Sequence, residues 1–189
     1  MKYATALSTV ILVAISSNTH ANATIIETAS STISAKSVAG GKFEYDLTLT
    51  NTGNTNLSTF WFAWVPGKDF LSVDPTAETS PAGWNLPNIT NGGPNDGFAL
   101  QWIANTPLAP GATISGFSFT TTESPSIVEG TSAVPAYAGT KTDTAFVYIG
   151  QPLTDAGFQL TAAVAPEPAS LSLLALGAIP LLSRRKRCT

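Results

Sequence analysis

The middle of this sequence predicts an all-β fold, an antiparallel β-sandwich, on three observations. Short runs alternate apolar and polar residues with a period of two, as a half-buried strand requires. Turn-forming residues separate those runs at short intervals, as at Asn51-Thr52-Gly53-Asn54, Pro66-Gly67 and Ala109-Pro110-Gly111. Apolar residues nowhere recur at helical spacing between residue 24 and residue 165.

The strands can be taken in order. Residues 43–50 (FEYDLTLT) alternate almost perfectly, with Phe43, Tyr45, Leu47 and Leu49 on one face. Residues 59–65 (TFWFAWV) are apolar on both faces, the mark of a central strand covered on both sides. By strict alternation Trp64 belongs with Phe60 and Phe62 in the core, and Trp61 points the other way. Residues 98–103 and 113–121 read as strands, the latter with an apolar parity that shifts between Ile114 and Phe117. That shift predicts a bulge at Ser115-Gly116. Residues 145–149 and 158–164 complete the set, with weaker strand signals at 25–35, 70–73 and 83–89. No repeat of fixed period appears, which disfavours a solenoid or propeller.

Both ends have a different character. Lys2 and the apolar stretch from residue 4 to 17 lead to Ala21-Asn22-Ala23, small residues at the −3 and −1 positions of a signal peptidase site, with Thr19-His20-Ala21 as a second candidate. At the other end, Pro166-Glu167-Pro168 precedes an uncharged, leucine-rich segment and then Arg184-Arg185-Lys186-Arg187. As a helix, residues 169–183 would extend roughly 22 Å at about 1.5 Å per residue. That is shorter than a hydrocarbon core of about 30 Å, so the segment reads as a marginal or transient anchor in the inner membrane. The basic cluster would stay cytoplasmic by the positive-inside rule, leaving the rest outside. The flanking prolines hold the hinge extended. The division is therefore a signal peptide at 1–23, a β-sandwich domain at 24–163, and a tail at 164–189. The tail divides into a hinge at 164–168, an apolar helix at 169–183 and a basic end at 184–187.

The tail, from Val164 through Pro166, Glu167 and Pro168 to Arg187, resembles the PEP-CTERM sorting signal of Gram-negative bacteria that make exopolysaccharide. The resemblance implies that a membrane enzyme, exosortase, recognises the Pro-Glu-Pro motif and removes the tail. It implies a protein exported across the inner membrane, anchored there before processing and at the cell surface or outside the cell afterwards. The pattern Leu47-Thr48-Leu49-Thr50-Asn51-Thr52-Gly53, with the later Leu108-Ala109-Pro110-Gly111 turn and a Phe-containing strand, resembles bacterial immunoglobulin-like surface domains. The run from Phe60 to Phe70 is similar to uncharacterised PEP-CTERM proteins, a likeness that implies no activity.

Composition narrows the chemistry of the exported part. Between residues 24 and 165, four lysines face eleven acidic residues. Such a surface repels nucleic acid and anionic membranes by long-range electrostatics, so no nucleic-acid partner is expected. The same stretch has no His, Cys or Arg; His20 and Cys188 lie in the two ends. Triads built on His and zinc sites built on His and Cys are excluded, as is an intrachain disulfide. What survives is carboxylate chemistry or oxygen-ligand calcium binding. Asp69, Asp74 and Glu78 fall in one loop-rich stretch and read as solvated or structural carboxylates. The 91–97 loop offers Asn and Asp oxygens but lacks the acidic alternation of a calcium loop, and reads as a hairpin.

The expectation is a secreted surface or matrix protein with a structural or adhesive role, without catalytic residues, cofactor or metal. The alternative is an exopolysaccharide-binding module that uses Trp61 and Trp84 as exposed aromatic contacts. If the tail is removed as the resemblance implies, intact-mass spectrometry of the protein from its native host will show a chain lacking residues 170–189. A secreted form that keeps the whole tail would contradict this.

Overall fold

The computed structural model describes residues 24–151 and 153–165. The signal peptide with its Ala21 and Ala23 cleavage residues, Pro166, Glu167, Pro168, the apolar segment and the basic end lie outside the described residues. Among the described residues no helix is long and apolar enough to cross a membrane.

The fold is all-β. Its strands are β1 (Ala29–Val38), β2 (Lys42–Asn51), β3 (Leu57–Phe62), β4 (Trp64–Val65), β5 (Lys68–Asp69) and β6 (Thr76–Thr79). They continue as β7 (Asn88–Asn91), β8 (Phe98–Leu108), β9 (Thr113–Thr121), β10 (Thr144–Tyr148) and β11 (Phe158–Val164). One helical turn, α1 (Pro125–Val128), and a 3-10 turn (Pro135–Tyr137) lie in the β9–β10 connection. Nine strands form one sheet in the order β6-β9-β2-β1-β11-β10-β3-β8-β7, and β4 and β5 make a separate hairpin.

Every pairing in the large sheet is antiparallel except β1 with β11. That parallel seam sets Ser31 beside Ala162 and Ile33 beside Val164. Val164, assigned to the hinge, ends β11, and the Ala165 amide after it donates to the Ile33 carbonyl at 2.7 Å.

β3 and β9 are separated in the sheet by four strands, yet their side chains touch. Phe60 lies 5.2 Å from Phe117 and Phe62 lies 5.5 Å from Phe119, ring centre to ring centre. The sheet therefore folds over on itself into two layers with the aromatics between them. Tyr45, Leu47 and Leu49 of β2 and Trp102 of β8 fill the same core. Each fully buried side chain of this size contributes roughly 1.5–3 kcal/mol. That burial takes the place of a disulfide.

Local chemistry explains the joints. At Asn51 the side-chain amide donates to the Thr55 and Leu108 carbonyls at 2.7 and 2.9 Å, while its oxygen accepts from the Gly53 amide. This one buried residue ties the turn after β2 to the end of β8. The bulge expected at Ser115-Gly116 is present: Leu47 pairs with Phe117 and Thr48 with Ser115, skipping Gly116. Gly116 has φ +106, a conformation that side chains rarely adopt. The skip returns Phe117 and Phe119 to the core side.

Three expectations differ from the structure. The run at 70–73 forms only an isolated bridge between Leu71 and Phe98, because the chain there dives beneath the sheet with Phe70 and Leu71 fully buried. The run at 83–89 likewise yields one bridge, Trp84 with Ala104, before β7 begins. β6 carried no alternation in sequence; it is a short edge strand held partly by threonine hydroxyls, Thr79 Oγ1 accepting from or donating to Ser118 Oγ at 2.7 Å.

Phe117 touches Phe60, Trp84 and Trp102 at once. Replacing it with alanine is expected to destabilise the protein by about 3–5 kcal/mol, read from the midpoint of urea unfolding. A cost below about 1 kcal/mol would show that the two layers do not meet there.

Candidate binding site

The site begins with a backbone irregularity. Ala63, between β3 and β4, has φ +57, in the left-handed region that non-glycine residues seldom enter. The strict alternation that would have placed Trp64 beside Phe60 and Phe62 stops there. Trp64 instead stacks on Trp61, with ring centres 4.2 Å apart and planes 16° from parallel. Trp64 is buried, as expected of a core residue, but it does not join Phe60 and Phe62. The two indoles form a second cluster with Ala99, Phe146 and Tyr148, separate from the main core. Phe146 meets Trp64 edge to face at 5.7 Å.

The turn at Pro66-Gly67 then reverses the chain, and the β4–β5 pairing sets Asp69 opposite Trp64. The 91–97 loop closes over this hairpin. Asp96 Oδ1 accepts from the Asp69 amide at 3.1 Å and from the Gly97 amide at 2.9 Å. Asn91 Oδ1 accepts from the Gly93 amide at 2.9 Å. The Asn and Asp oxygens weighed as calcium donors thus hold the loop's own backbone. Among the described residues, no group of three or more acidic, His or Cys side chains is placed to hold a metal ion. Glycine is required at Gly97, where a Cβ would overlap the Asp69 and Leu71 carbonyls.

Between hairpin and loop lies a cleft of about 290 Å3. Trp61 and Trp64 form its apolar wall; Asp69, Thr90, Asn91 and Asp96 form its polar wall. The Trp61 indole nitrogen is buried and has no hydrogen-bond partner among the described residues. Asp69 is 4% exposed. Burial, and then the charge of Asp96, push its carboxyl up to about 6.

The other candidate residues fall elsewhere. Trp84 is buried in the main core, edge-on to Phe117 at 5.1 Å, so it is not the exposed aromatic contact expected of it. The turn at residues 81–84 folds it inward: its amide donates to the Pro81 carbonyl. Trp102 is fully buried and donates from Nε1 to the Thr79 carbonyl. With all four tryptophans buried, no flat aromatic platform exists on the described surface. Trp61 lines a cleft instead. Asp74 is exposed, and neither it nor Glu78 lines the cleft with Asp69. The partner of Asp69 is Asp96, which the sequence set apart from it as an oxygen donor of the 91–97 loop.

No protein-family model matches this sequence, and no curated protein matches it. Solved structures give distant likenesses. A GH20 exo-β-N-acetylglucosaminidase from Vibrio harveyi, in complex with N-acetylglucosamine, is 12% identical at a TM-score of 0.40. That match covers 73% of this chain and 18% of the glycosidase, so the chain spans under a fifth of that protein's length. The carbohydrate-binding module CBM3b of cellobiohydrolase 9A from Clostridium thermocellum is 12% identical at a TM-score of 0.41, over 71% of this chain and 96% of that one. A CBM3 of Hungateiclostridium clariflavum is 8% identical at 0.40, over 76% and 100%. These likenesses assign no ligand to this chain.

Carboxyls elsewhere shift the same way. Glu27 is pushed up to about 7 by burial and then by Asp155. Glu123, Glu129 and Asp143 are raised chiefly by burial. Each holds its proton more tightly folded than unfolded, so each costs stability as pH rises from its unfolded value through its folded one. Thermal unfolding scans should therefore show a midpoint that climbs as pH is lowered from about 7 to about 4.5. Asp69→Asn should raise stability at neutral pH by roughly 1–2 kcal/mol, after allowance for solvent screening, and flatten that dependence. A midpoint that falls steadily on acidification would contradict the assignment.

Proposed function

We propose that this chain is an exported, non-catalytic carbohydrate-binding protein. In this reading a signal peptide is cleaved by signal peptidase, and the PEP-CTERM tail delivers an immunoglobulin-like sandwich to the cell surface or matrix through exosortase. The observation that carries the binding role is the cleft. It sets two stacked indoles against carboxylates, an amide and a hydroxyl. Sugars present one apolar ring face and a rim of hydroxyls, and an apolar wall with a few placed polar groups is how small-ligand sites recognise them. At about 290 Å3 the cleft suits a sugar residue or a chain end, and not the face of an extended polymer.

Two carboxylates in one cleft also raise hydrolysis. A glycosidase needs one carboxyl free to attack or to activate water. Here Asp96 Oδ1 is occupied by two backbone amides, and Gly92 packs so closely on Oδ2 that a Cβ would overlap it. The Asp69 carboxyl faces Thr90 and the Gly92 amide. Asp96 thus braces the loop and Asp69 is buried in the hairpin, which supports binding without turnover.

Affinity electrophoresis through a gel loaded with the host's exopolysaccharide tests this. The protein should be retarded, and Trp61→Phe, which keeps an aromatic ring but shrinks the apolar wall of the cleft, should weaken retardation by roughly threefold to tenfold. Unretarded wild-type protein would refute the binding role, and release of reducing sugar would make the protein a hydrolase.

A further inference from the structure

We infer that the cleft selects a sugar bearing a protonated amine, which it seats between Asp69 and Asp96 with the sugar ring against Trp61 and Trp64. This rests on the carbohydrate-binding reading and narrows its ligand.

The charge inventory leads there. The cleft wall carries two carboxylates and no basic side chain. Among the described residues the ion pairs are those of Lys36 with Glu44 and Asp46, so neither Asp69 nor Asp96 has a cation within salt-bridge reach. The nearby Lys68 is exposed and lies over the Tyr137 ring, 5.7 Å from its centre. Tyr137, whose phenol is raised by burial and by Asp96 and Asp69, is the other titratable group facing this pair. Two acids are thus held close, one of them 4% exposed, with no positive side chain of the described residues paired to either.

Ligand classes differ in what they do to that repulsion. A uronic acid would add a third negative charge. A neutral or N-acetylated sugar would bury the pair further from water and leave it uncompensated. An ammonium group would offset the negative charge of both carboxylates, its attraction to each persisting where the carboxylate oxygens already accept amides. The indole faces would also attract it, since an aromatic ring is negative over its face.

A bare divalent cation fits less well. Calcium takes 6–8 oxygen ligands. Here Asp96 Oδ1 and Asn91 Oδ1 already accept backbone amides, and the facing wall is aromatic carbon.

The test is a titration of the full chain, followed by tryptophan fluorescence and calorimetry, with three oligosaccharides of equal length. One is built of glucosamine, one of N-acetylglucosamine and one contains glucuronic acid. At neutral pH the glucosamine oligomer should bind roughly tenfold more tightly than the N-acetylated one, and the uronic oligomer least of all. Asp69→Asn should remove the preference while leaving weak binding of the N-acetylated oligomer. Affinity for the glucosamine oligomer should fall as pH is lowered through about 6, where Asp69 takes up its proton. Asp96→Asn, which keeps an oxygen for the two amides, gives the same reading should Asp69→Asn fail to fold. Equal binding of the amine and N-acetylated oligomers, or a preference untouched by both variants, would overturn the selectivity and leave carbohydrate binding standing. Binding to none of the three, with no retardation by exopolysaccharide, would overturn both. Calcium alone reproducing the fluorescence change at low concentration would replace the amine with a metal.

Discussion

The contact on which the molecule rests is aromatic. Phe60 and Phe62 of one layer meet Phe117 and Phe119 of the other, with Trp102 and Tyr45 packed around them. A domain without a disulfide must find its stability in burial, and bulky rings supply the most apolar area per residue. The bulge at Gly116 keeps β9 in step with this layer. Asn51 does the same for the far end by joining two turns through one side chain.

Ala63 is where the core ends and the cleft begins. β3 is covered on both sides, but its inward residues serve stability and its outward Trp61 serves the second cluster. A single left-handed residue moves Trp64 from the first role to the second. Backbone of this kind costs of order 1 kcal/mol or more and is kept only where surrounding structure holds it. Here it is held by the Phe70 amide, which donates to the Ala63 carbonyl at 2.9 Å. The same bond draws the β4–β5 hairpin toward the sheet and brings Asp69 within reach of the 91–97 loop.

Much of the fold was legible in the sequence. β2 and β11 each bury one face, so their alternation showed in residue types, and in β9 even the skip at Gly116 appeared as a parity shift. β6 was invisible because it is a polar edge strand with no buried face to pattern it. The site was legible only in part. Trp61 and Asp69 stood out as residue types, but the stacking of Trp64 depends on one backbone angle that composition does not reveal. Asp96 reaches Asp69 through a loop closure between residues far apart in sequence. Trp84 misled for a related reason: its Gly and Pro neighbours read as an exposed turn, whereas the turn folds the indole inward.

The parallel seam between β1 and β11 has a mechanical consequence. The strand that leads directly into the tail lies in the middle of the sheet, hydrogen-bonded to β1 on one side and β10 on the other. A pull along the C-terminal end would load β11 lengthwise, so its bonds to both neighbours would have to shear together and could not peel one at a time. Tethering by that end would put tension on the sheet's strongest direction.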